Sequence, residues 1–103
     1  MILELDKNNF ENEIKEGLVL VDFWAPWCTN CRMLMPFIEK LEKEKSGEIK
    51  VCKVNASDQT ELADRFSIST LPTLIFFKNG EMVEQHIGFK PYGKLIEIVD
   101  NLK

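Results

Sequence analysis

The chain has 103 residues, a length that suits one hydrophobic core, so we expect one domain over residues 1–103. The formal net charge of −4 argues against a nucleic-acid-binding or basic membrane-surface protein, and no apolar run approaches the roughly 20 residues of a membrane span. Met1 to Phe10 contains no basic segment followed by an apolar stretch. We therefore predict no secretory signal and expect a monomer in the reducing cytoplasm.

The first two predicted elements are a short strand and a short helix. Ile2–Leu5 mixes apolar and acidic residues, which favours a strand (β1) with one buried face. Asn8 and Glu11 have the spacing of a capping box, so a helix (α1) should begin there. Gly17 fits the position directly after the last helical cap.

A buried strand followed at once by a helix comes next. Leu18–Ala25 is rich in β-branched and aromatic residues and predicts strand β2. Helix α2 is expected from about Cys28 to Ser46, with Gly47 as its stop and a kink at Pro36.

The middle of the chain predicts another strand and helix. Along Ile49–Val54, apolar residues occur among the side chains that would point to each of the two faces of a strand. This strand (β3) should therefore be buried on both faces. Asp58 and Glu61 have the spacing of a second capping box, for a short helix (α3) that ends near Phe66.

The C-terminal part predicts a hairpin and a closing helix. Asn79-Gly80 is a strong two-residue turn signal between strands Thr73–Phe77 (β4) and Glu81–Ile87 (β5). Pro91 fits the first turn of helix α4. The inward residues of that helix should be Leu95, Ile98, Val99 and Leu102.

Because crossovers are right-handed, the first three strands should be parallel, in a mixed α/β sheet with helices on both faces.

Two cysteines three positions apart lie where α2 should begin. Cys28 would then sit over the free N–H groups of the first turn, and these donors with the helix dipole stabilise a thiolate. Cys31 lies one turn on, so a disulfide between the two is reachable. We predict thiol–disulfide exchange, in which Cys28 attacks a substrate disulfide and Cys31 resolves the mixed disulfide.

Half of a zinc site and an inert pair are the alternative interpretations of these cysteines. Zinc would need Cys52 and His86, which lie in separate strands without ligand-like spacing, so we expect no metal site and no cofactor. Cys52 is interpreted as a buried small hydrophobe. No carboxylate partner and no role is assigned to His86.

A carboxylate interrupts the apolar residues of β2. Asp22 should keep its proton to a higher pH than usual, and six residues before Cys28 it could lie beneath the dithiol. We hypothesise that it accepts the proton of Cys31 when that residue becomes the second nucleophile. Lys53 on β3 could bring its ammonium to Asp22. The alternatives are a polar group at a strand edge for Asp22 and a lysine that extends to solvent for Lys53.

Two further residues indicate a docking surface. Pro72 opens β4 and withholds a backbone N–H, which leaves Leu71 with a free edge for an extended peptide. Most peptide bonds before a proline are trans, so the residues alone predict a trans bond between Leu71 and Pro72. Trp27 precedes the nucleophile and should shape the same surface, with plain packing as the alternative.

At these residues the chain resembles the thioredoxin family, over almost its entire length. The matching segments are Val21-Asp22-Phe23-Trp24-Ala25, Trp27-Cys28 with Cys31, Pro36, Lys53-Val54-Asn55, Leu71-Pro72-Thr73-Leu74, Phe77-Lys78-Asn79-Gly80 and Gly88. The resemblance implies the thioredoxin fold, with a mixed five-stranded sheet in the order β1-β3-β2-β4-β5 flanked by four helices. It also implies a cis bond before Pro72.

The resemblance further implies roles for individual residues. Cys28 would be the nucleophile, Cys31 the resolving thiol, and Asp22 with Lys53 the buried proton-handling pair. The substrate groove would comprise Trp27, Leu71, Pro72, Ile87, Gly88 and Phe89, to which we add Thr29 and Asn30 between the cysteines. Electrons would come from a thioredoxin reductase and pass to disulfide-containing client proteins.

The dipeptide Thr29-Asn30 departs from the family, in which Gly-Pro is usual between the cysteines. Loss of the proline loosens the first turn and restores an N–H that can point at sulfur. We therefore predict a more oxidising couple than in a Gly-Pro thioredoxin. A protein-disulfide reductase is the leading hypothesis, and a disulfide oxidase or isomerase and a redox-independent protein-binding module are the alternatives.

Overall fold

The structure, a computed structural model, describes residues 2–103. Within this range five strands form one sheet in the order β1-β3-β2-β4-β5, as the resemblance implied. The first three strands are parallel, and β4 and β5 are antiparallel to their neighbours, which confirms the mixed sheet. The strands are β1 (Leu3–Glu4), β2 (Leu18–Trp24), β3 (Lys50–Asn55), β4 (Thr73–Lys78) and β5 (Glu81–Ile87).

Four helices cover the two faces of this sheet in the described part of the chain. They are α1 (Phe10–Ile14), α2 (Thr29–Glu44), α3 (Thr60–Arg65) and α4 (Tyr92–Leu102). Helix α2 continues through Pro36. Among residues 2–103 no helix is both long enough and apolar enough to cross a membrane.

The central strands divide the core between the two faces, because successive side chains of a strand point in opposite directions. Leu20 on β2 and Val51 on β3 belong to the cluster beneath α2 and α4. Val21 and Cys52 belong to the cluster beneath α1 and α3. The prediction that β3 is buried on both faces is therefore confirmed.

The predicted capping box at the start of α1 is wrong. The N-cap residue is Asn9, and its side chain makes no capping hydrogen bond. Instead, the Asp6 side chain accepts from the N–H groups of Asn8 at 2.8 Å and Asn9 at 3.1 Å, and Asn9 Oδ1 accepts from the Asp6 N–H at 2.8 Å. These polar side chains close the turn before the helix, which competes with capping.

The predicted capping box at the start of α3 is also wrong. Gln59 is the N-cap residue, and no side-chain capping bond forms there. The turn before the helix is organised by Asn55, whose Oδ1 accepts from the Ser57 N–H at 3.0 Å and whose carbonyl accepts from the Gln59 N–H at 2.9 Å. Asp58 and Glu61 are exposed and do not cap this helix.

Several predicted boundaries shift by one or two residues: β2 ends at Trp24, α2 ends at Glu44, β3 spans Lys50–Asn55 and β4 ends at Lys78. Strand β1 is shorter than predicted and both of its residues are exposed, because it is an edge strand and the buried side chain is Leu5, just beyond it. Gly17 has a φ of +72° but lies two residues beyond the cap Lys15, and its N–H donates to Asn79 Oδ1 at 2.9 Å across to the β4–β5 turn. Pro91 is the N-cap of α4 rather than a residue of its first turn.

Candidate active site

The dithiol lies where β2 gives way to α2. Cys28 is the N-cap residue with an extended backbone, so the predicted helix start is confirmed. Its Sγ accepts a hydrogen bond from the Cys31 N–H at 3.2 Å. The two cysteines form a disulfide, with their Cα atoms 5.2 Å apart. Once this bond opens, the same N–H and the helix dipole are placed to stabilise a Cys28 thiolate.

The two sulfur-bearing residues differ in accessibility. Cys28 is 8% exposed, whereas Cys31 is only 1% exposed. Trp27, directly before Cys28, is 69% exposed and presents a large apolar surface beside it. An approaching molecule therefore reaches Cys28 before it can reach Cys31.

A backbone hydrogen bond and apolar packing on Ala25 hold the turn that carries Cys28. The Cys28 N–H donates to the Ala25 carbonyl at 3.1 Å, and Ala25 is fully buried. Ala25 packs with both cysteines in a small cluster that Trp24 and Leu71 complete. The sulfur atoms thus rest on an apolar base that joins the end of β2 to the start of β4.

Asp22 is fully buried in the middle of the sheet. It lies between Lys53 on β3 and Leu74 on β4, so it is not at a strand edge. Alternation places its side chain on the same face as Leu20, the face that α2 covers. Neither carboxylate oxygen has a hydrogen-bond partner within residues 2–103. Burial raises the pKa of Asp22 to about 7, while the charge of Lys53 opposes this rise and Glu4 adds to it.

Lys53 does not form the buried contact with Asp22 that was expected. Its side chain is 27% exposed, its Nζ lies 3.9 Å from Glu4 Oε1, and it stands 5.2 Å from the centroid of the Trp24 ring. Glu4 is the neighbour of Lys53 on the edge strand β1, where water also solvates the ammonium, so this position costs less than burial beside Asp22. Lys53 therefore acts on Asp22 only through the electrostatic field.

The start of β4 and the end of β5 bring three of the predicted groove residues together. The Leu71–Pro72 bond is cis, as the resemblance implied and against the base rate. The Gly88 N–H donates to the Pro72 carbonyl at 2.8 Å. Ile87, paired with Thr73, is 54% exposed and adds an apolar side chain to this edge.

The remaining predicted groove residues are placed differently. Thr29 and Asn30 are exposed on the first turn of α2. Phe89 is half-buried, packs against Phe37 at 5.8 Å between ring centroids, and joins the cluster beneath α2 and α4.

A cleft beside Cys28 was missed by the sequence analysis. Its volume is about 560 Å³, and it opens between Trp27 and Leu71. Its other walls come from α3 and the loops that flank it, namely Ala56, Ser57, Thr60, Ala63, Asp64, Ile68, Ser69 and Thr70. The available signal was the number of small residues in segments that were interpreted only as loop and helix.

Arg32 was also missed. Its Nη1 donates to the Pro26 carbonyl at 2.8 Å, and its Nη2 donates to Thr29 Oγ1 at 3.3 Å. The available signal was a cation in the first turn of a helix, where the dipole disfavours positive charge.

Cys52 and His86 lie apart from the dithiol. Cys52 is fully buried on the α1 and α3 face, and burial raises the pKa of its thiol to about 11. The statement that His86 lacks a carboxylate partner is wrong, because its Nε2 lies 2.7 Å from Glu84 Oε1 on the same face of β5. Within residues 2–103, no group of three or more His, Cys, Asp and Glu side chains is arranged to hold a metal ion.

Comparisons with known proteins agree with this geometry. The family model named Thioredoxin matches residues 1–101. The chain is similar to Thioredoxin of Bacillus subtilis (strain 168), at 39% identity over 99 residues that cover 96% of this chain and 95% of the relative. It is similar to Thioredoxin of Listeria monocytogenes, at 39% identity over 97% of each chain. It is also 44% identical to Thioredoxin M5, chloroplastic, of Oryza sativa, over 96% of this chain and 59% of that protein.

Proposed function

Because this chain belongs to the thioredoxin family and is a thiol–disulfide oxidoreductase, we propose that it reduces disulfides of client proteins through Cys28 and Cys31. The observation that carries the proposal is the N-cap position of Cys28, with Cys31 bonded to it from one turn further along α2. A helix N-terminus beneath one sulfur and a partner sulfur within bonding reach are what reversible thiol–disulfide exchange requires.

The reaction proceeds in two exchanges. The Cys28 thiolate attacks one sulfur of the client disulfide, the client S–S bond breaks, and the other client sulfur leaves as a thiolate. Cys31 then loses its proton and attacks Cys28 Sγ, which forms the internal disulfide and releases the second client sulfur. Two electrons pass from the dithiol to the client, and the client thiolates take up protons according to their own pKa values.

Asp22 serves the second exchange. Cys31 is almost entirely shielded from water, so solvent is a poor acceptor for its proton. Asp22 lies on the face of the sheet that α2 covers, and its pKa of about 7 lets it accept or release a proton near neutral pH. Lys53 assists from a distance, because its positive charge lowers the pKa of Asp22 and keeps part of the population ionised.

The client docks on the surface around Cys28. Trp27 and Ile87 supply its exposed apolar area, and the cis bond before Pro72 with the neighbouring Gly88 supplies a backbone edge for an extended segment. The cleft beside Cys28 receives a side chain that flanks the client cysteine. The wider groove set is Thr29, Asn30, Leu71 and Phe89.

A thioredoxin reductase in the reducing cytoplasm supplies the electrons in this proposal. The Thr29-Asn30 dipeptide makes the active site atypical, and the backbone N–H restored at Asn30 favours the reduced form of the pair. The couple is therefore more oxidising than that of a Gly-Pro thioredoxin. A redox titration against a Gly-Pro member of the family tests this point, and an equal or more reducing potential would contradict it.

Reduction of insulin by dithiothreitol tests the function itself. The wild type should accelerate precipitation of the insulin chains, Cys28→Ser should not, and the matched cysteine control Cys52→Ala should behave like the wild type. Equal behaviour of the wild type and Cys28→Ser would instead favour a redox-independent binding module. Slow reduction with fast oxidation of a reduced client would favour an oxidase or isomerase.

A further inference from the structure

The guanidinium of Arg32 ties together two segments on either side of Cys28. One arm donates to the carbonyl of Pro26, in the turn before the nucleophile, at 2.8 Å. The other arm donates to the hydroxyl of Thr29, the first residue of α2, at 3.3 Å. A planar guanidinium can make both bonds at once because its donors form a rigid fork.

The chain needs such a tie at this place. Asn30 stands where a proline would restrict the first turn of the helix, so the backbone itself supplies less restraint. Apart from the disulfide, the turn is held by hydrogen bonds with backbone donors, from the Cys28 N–H to the Ala25 carbonyl and from the Arg32 N–H to the Cys28 carbonyl at 3.1 Å each, and from the Cys31 N–H to Cys28 Sγ at 3.2 Å. The side chain of Arg32 adds a connection between the residues on either side of the nucleophile.

The charge of Arg32 is not used elsewhere. Both bonds that its guanidinium makes go to neutral oxygens, and none of the ion pairs found within residues 2–103 includes it. The side chain is exposed, so it is not a packing element of the core. Both hydrogen bonds of its guanidinium go to the segment that carries the dithiol.

We propose that Arg32 is a positioning residue of the dithiol, which acts through the Pro26 carbonyl and the Thr29 hydroxyl to hold Cys28 in the geometry that closes the disulfide. This inference rests on the proposed function and deepens it. The position of the dithiol–disulfide equilibrium depends on the effective concentration of one thiol at the other. The disulfide already restrains the turn in the oxidised form, so the Arg32 bridge costs less conformational entropy there and stabilises the oxidised form more than the reduced form. Removal of the bridge therefore destabilises the oxidised form relative to the reduced form and makes the couple more oxidising.

The test uses variants that keep the positive charge but break the bridge. Thr29→Val removes the acceptor with almost no change of shape, and Arg32→Lys keeps the charge but lacks the fork. Each should shift the equilibrium constant with dithiothreitol about threefold towards the dithiol, which is about 14 mV for a two-electron couple. The double variant should shift it no further than either single variant, because both changes remove one shared interaction.

Two comparisons make the result specific. Thr29→Ser keeps a hydroxyl acceptor, so its equilibrium constant should lie nearer the wild-type value than that of Thr29→Val. Lys43→Met removes a cation from the same helix several turns away and should leave the constant unchanged. Circular dichroism and thermal unfolding establish that each variant is folded.

The outcomes separate this inference from the proposed function. Wild-type equilibrium constants for Thr29→Val and Arg32→Lys, or additive shifts in the double variant, would overturn the role of Arg32 while leaving the redox function intact. A wild-type protein whose Cys28 and Cys31 do not equilibrate with dithiothreitol would overturn both.

Discussion

The three cysteines of this chain lie in two regions that the same sheet separates. Cys28 and Cys31 lie at the start of α2, where Cys28 is 8% exposed and its Sγ accepts a hydrogen bond from the Cys31 N–H. Cys52 lies in the middle of β3 on the other face, enclosed by the cluster beneath α1 and α3. The helix N-terminus stabilises a thiolate, whereas burial raises the pKa of the Cys52 thiol to about 11. Reactivity is therefore set by the place of each thiol in the fold and not by its residue type.

The two titratable groups buried in neighbouring strands extend the comparison. Asp22 and Cys52 are both fully buried, and burial raises the pKa of each. The raised value of Asp22 falls near neutral pH, whereas that of Cys52 lies far above it. Only the carboxyl on the α2 face is thus placed to exchange a proton under physiological conditions.

The largest expected effect separates the roles of the three thiols. Cys31→Ser should lose at least about a thousandfold in insulin turnover, because nothing resolves the mixed disulfide, and a client–Cys28 adduct should accumulate. Mass spectrometry of the quenched reaction detects the adduct. Cys28→Ser should form no adduct, and Cys52→Ala should turn over like the wild type. An adduct on Cys52, or fast turnover by Cys31→Ser, would erase the distinction between the two regions.

The next effect concerns the proton of Cys31. Asp22→Asn should slow resolution of the mixed disulfide by about a hundredfold near pH 7 to 8, because the acceptor is lost, while the first attack by Cys28 changes little. Single-turnover kinetics with a labelled client separate the two steps. Resolution at the wild-type rate across the whole pH range would contradict the assigned role.

The same substitution should change the pH dependence of stability. The pKa of Asp22 is raised from 3.8 to about 7 in the folded state, so the folded chain binds the proton more tightly than the unfolded chain does. The free energy of unfolding of the wild type should therefore fall as the pH rises from about 4 to about 7, by up to about 4 kcal/mol. Asp22→Asn lacks this group and this loss. Urea unfolding of both proteins at pH 5 and pH 8 measures it, and parallel pH curves would show that Asp22 does not carry a raised pKa.

A smaller effect is expected at Lys53. Because its positive charge lowers the pKa of Asp22 without a direct contact, Lys53→Met should move the midpoint of the pH-dependent step upward, by about half a pH unit. The pH profile of the resolving step measures the shift. Lys43→Met, which removes a more remote cation, is the matched control. A downward shift for Lys53→Met would mean that the lysine influences the site by another route.

Local patterns predicted much of the fold but little of its polar detail. The limits of β5 matched because the Asn79-Gly80 turn and the strand alternation are local signals. Both capping boxes failed because other polar side chains, those of Asp6, Asn9 and Asn55, form the turns before the helices, and the spacing of a capping box does not reveal this competition.

The candidate site shows where sequence information stops. The position of Cys28 at the helix start followed from a strand and a helix that adjoin in the chain. The direction of the Lys53 side chain depends on Glu4, which is distant in the sequence but adjacent in the sheet, and the Arg32 bridge depends on the path of the turn at Pro26. Neither can be derived from residue spacing, because each depends on which atoms the tertiary fold brings together.

The most direct test of the account compares the alkylation rates of the cysteines in the reduced protein as a function of pH. Iodoacetamide should modify Cys28 with a midpoint well below the value of about 8.5 for an unperturbed thiol, while Cys52 stays unmodified until the protein unfolds. Peptide mapping assigns each rate to its cysteine. A Cys28 profile with the midpoint of an unperturbed thiol, or a Cys52 that reacts as fast as Cys28 in the folded protein, would contradict the claim that the start of α2 activates the nucleophile.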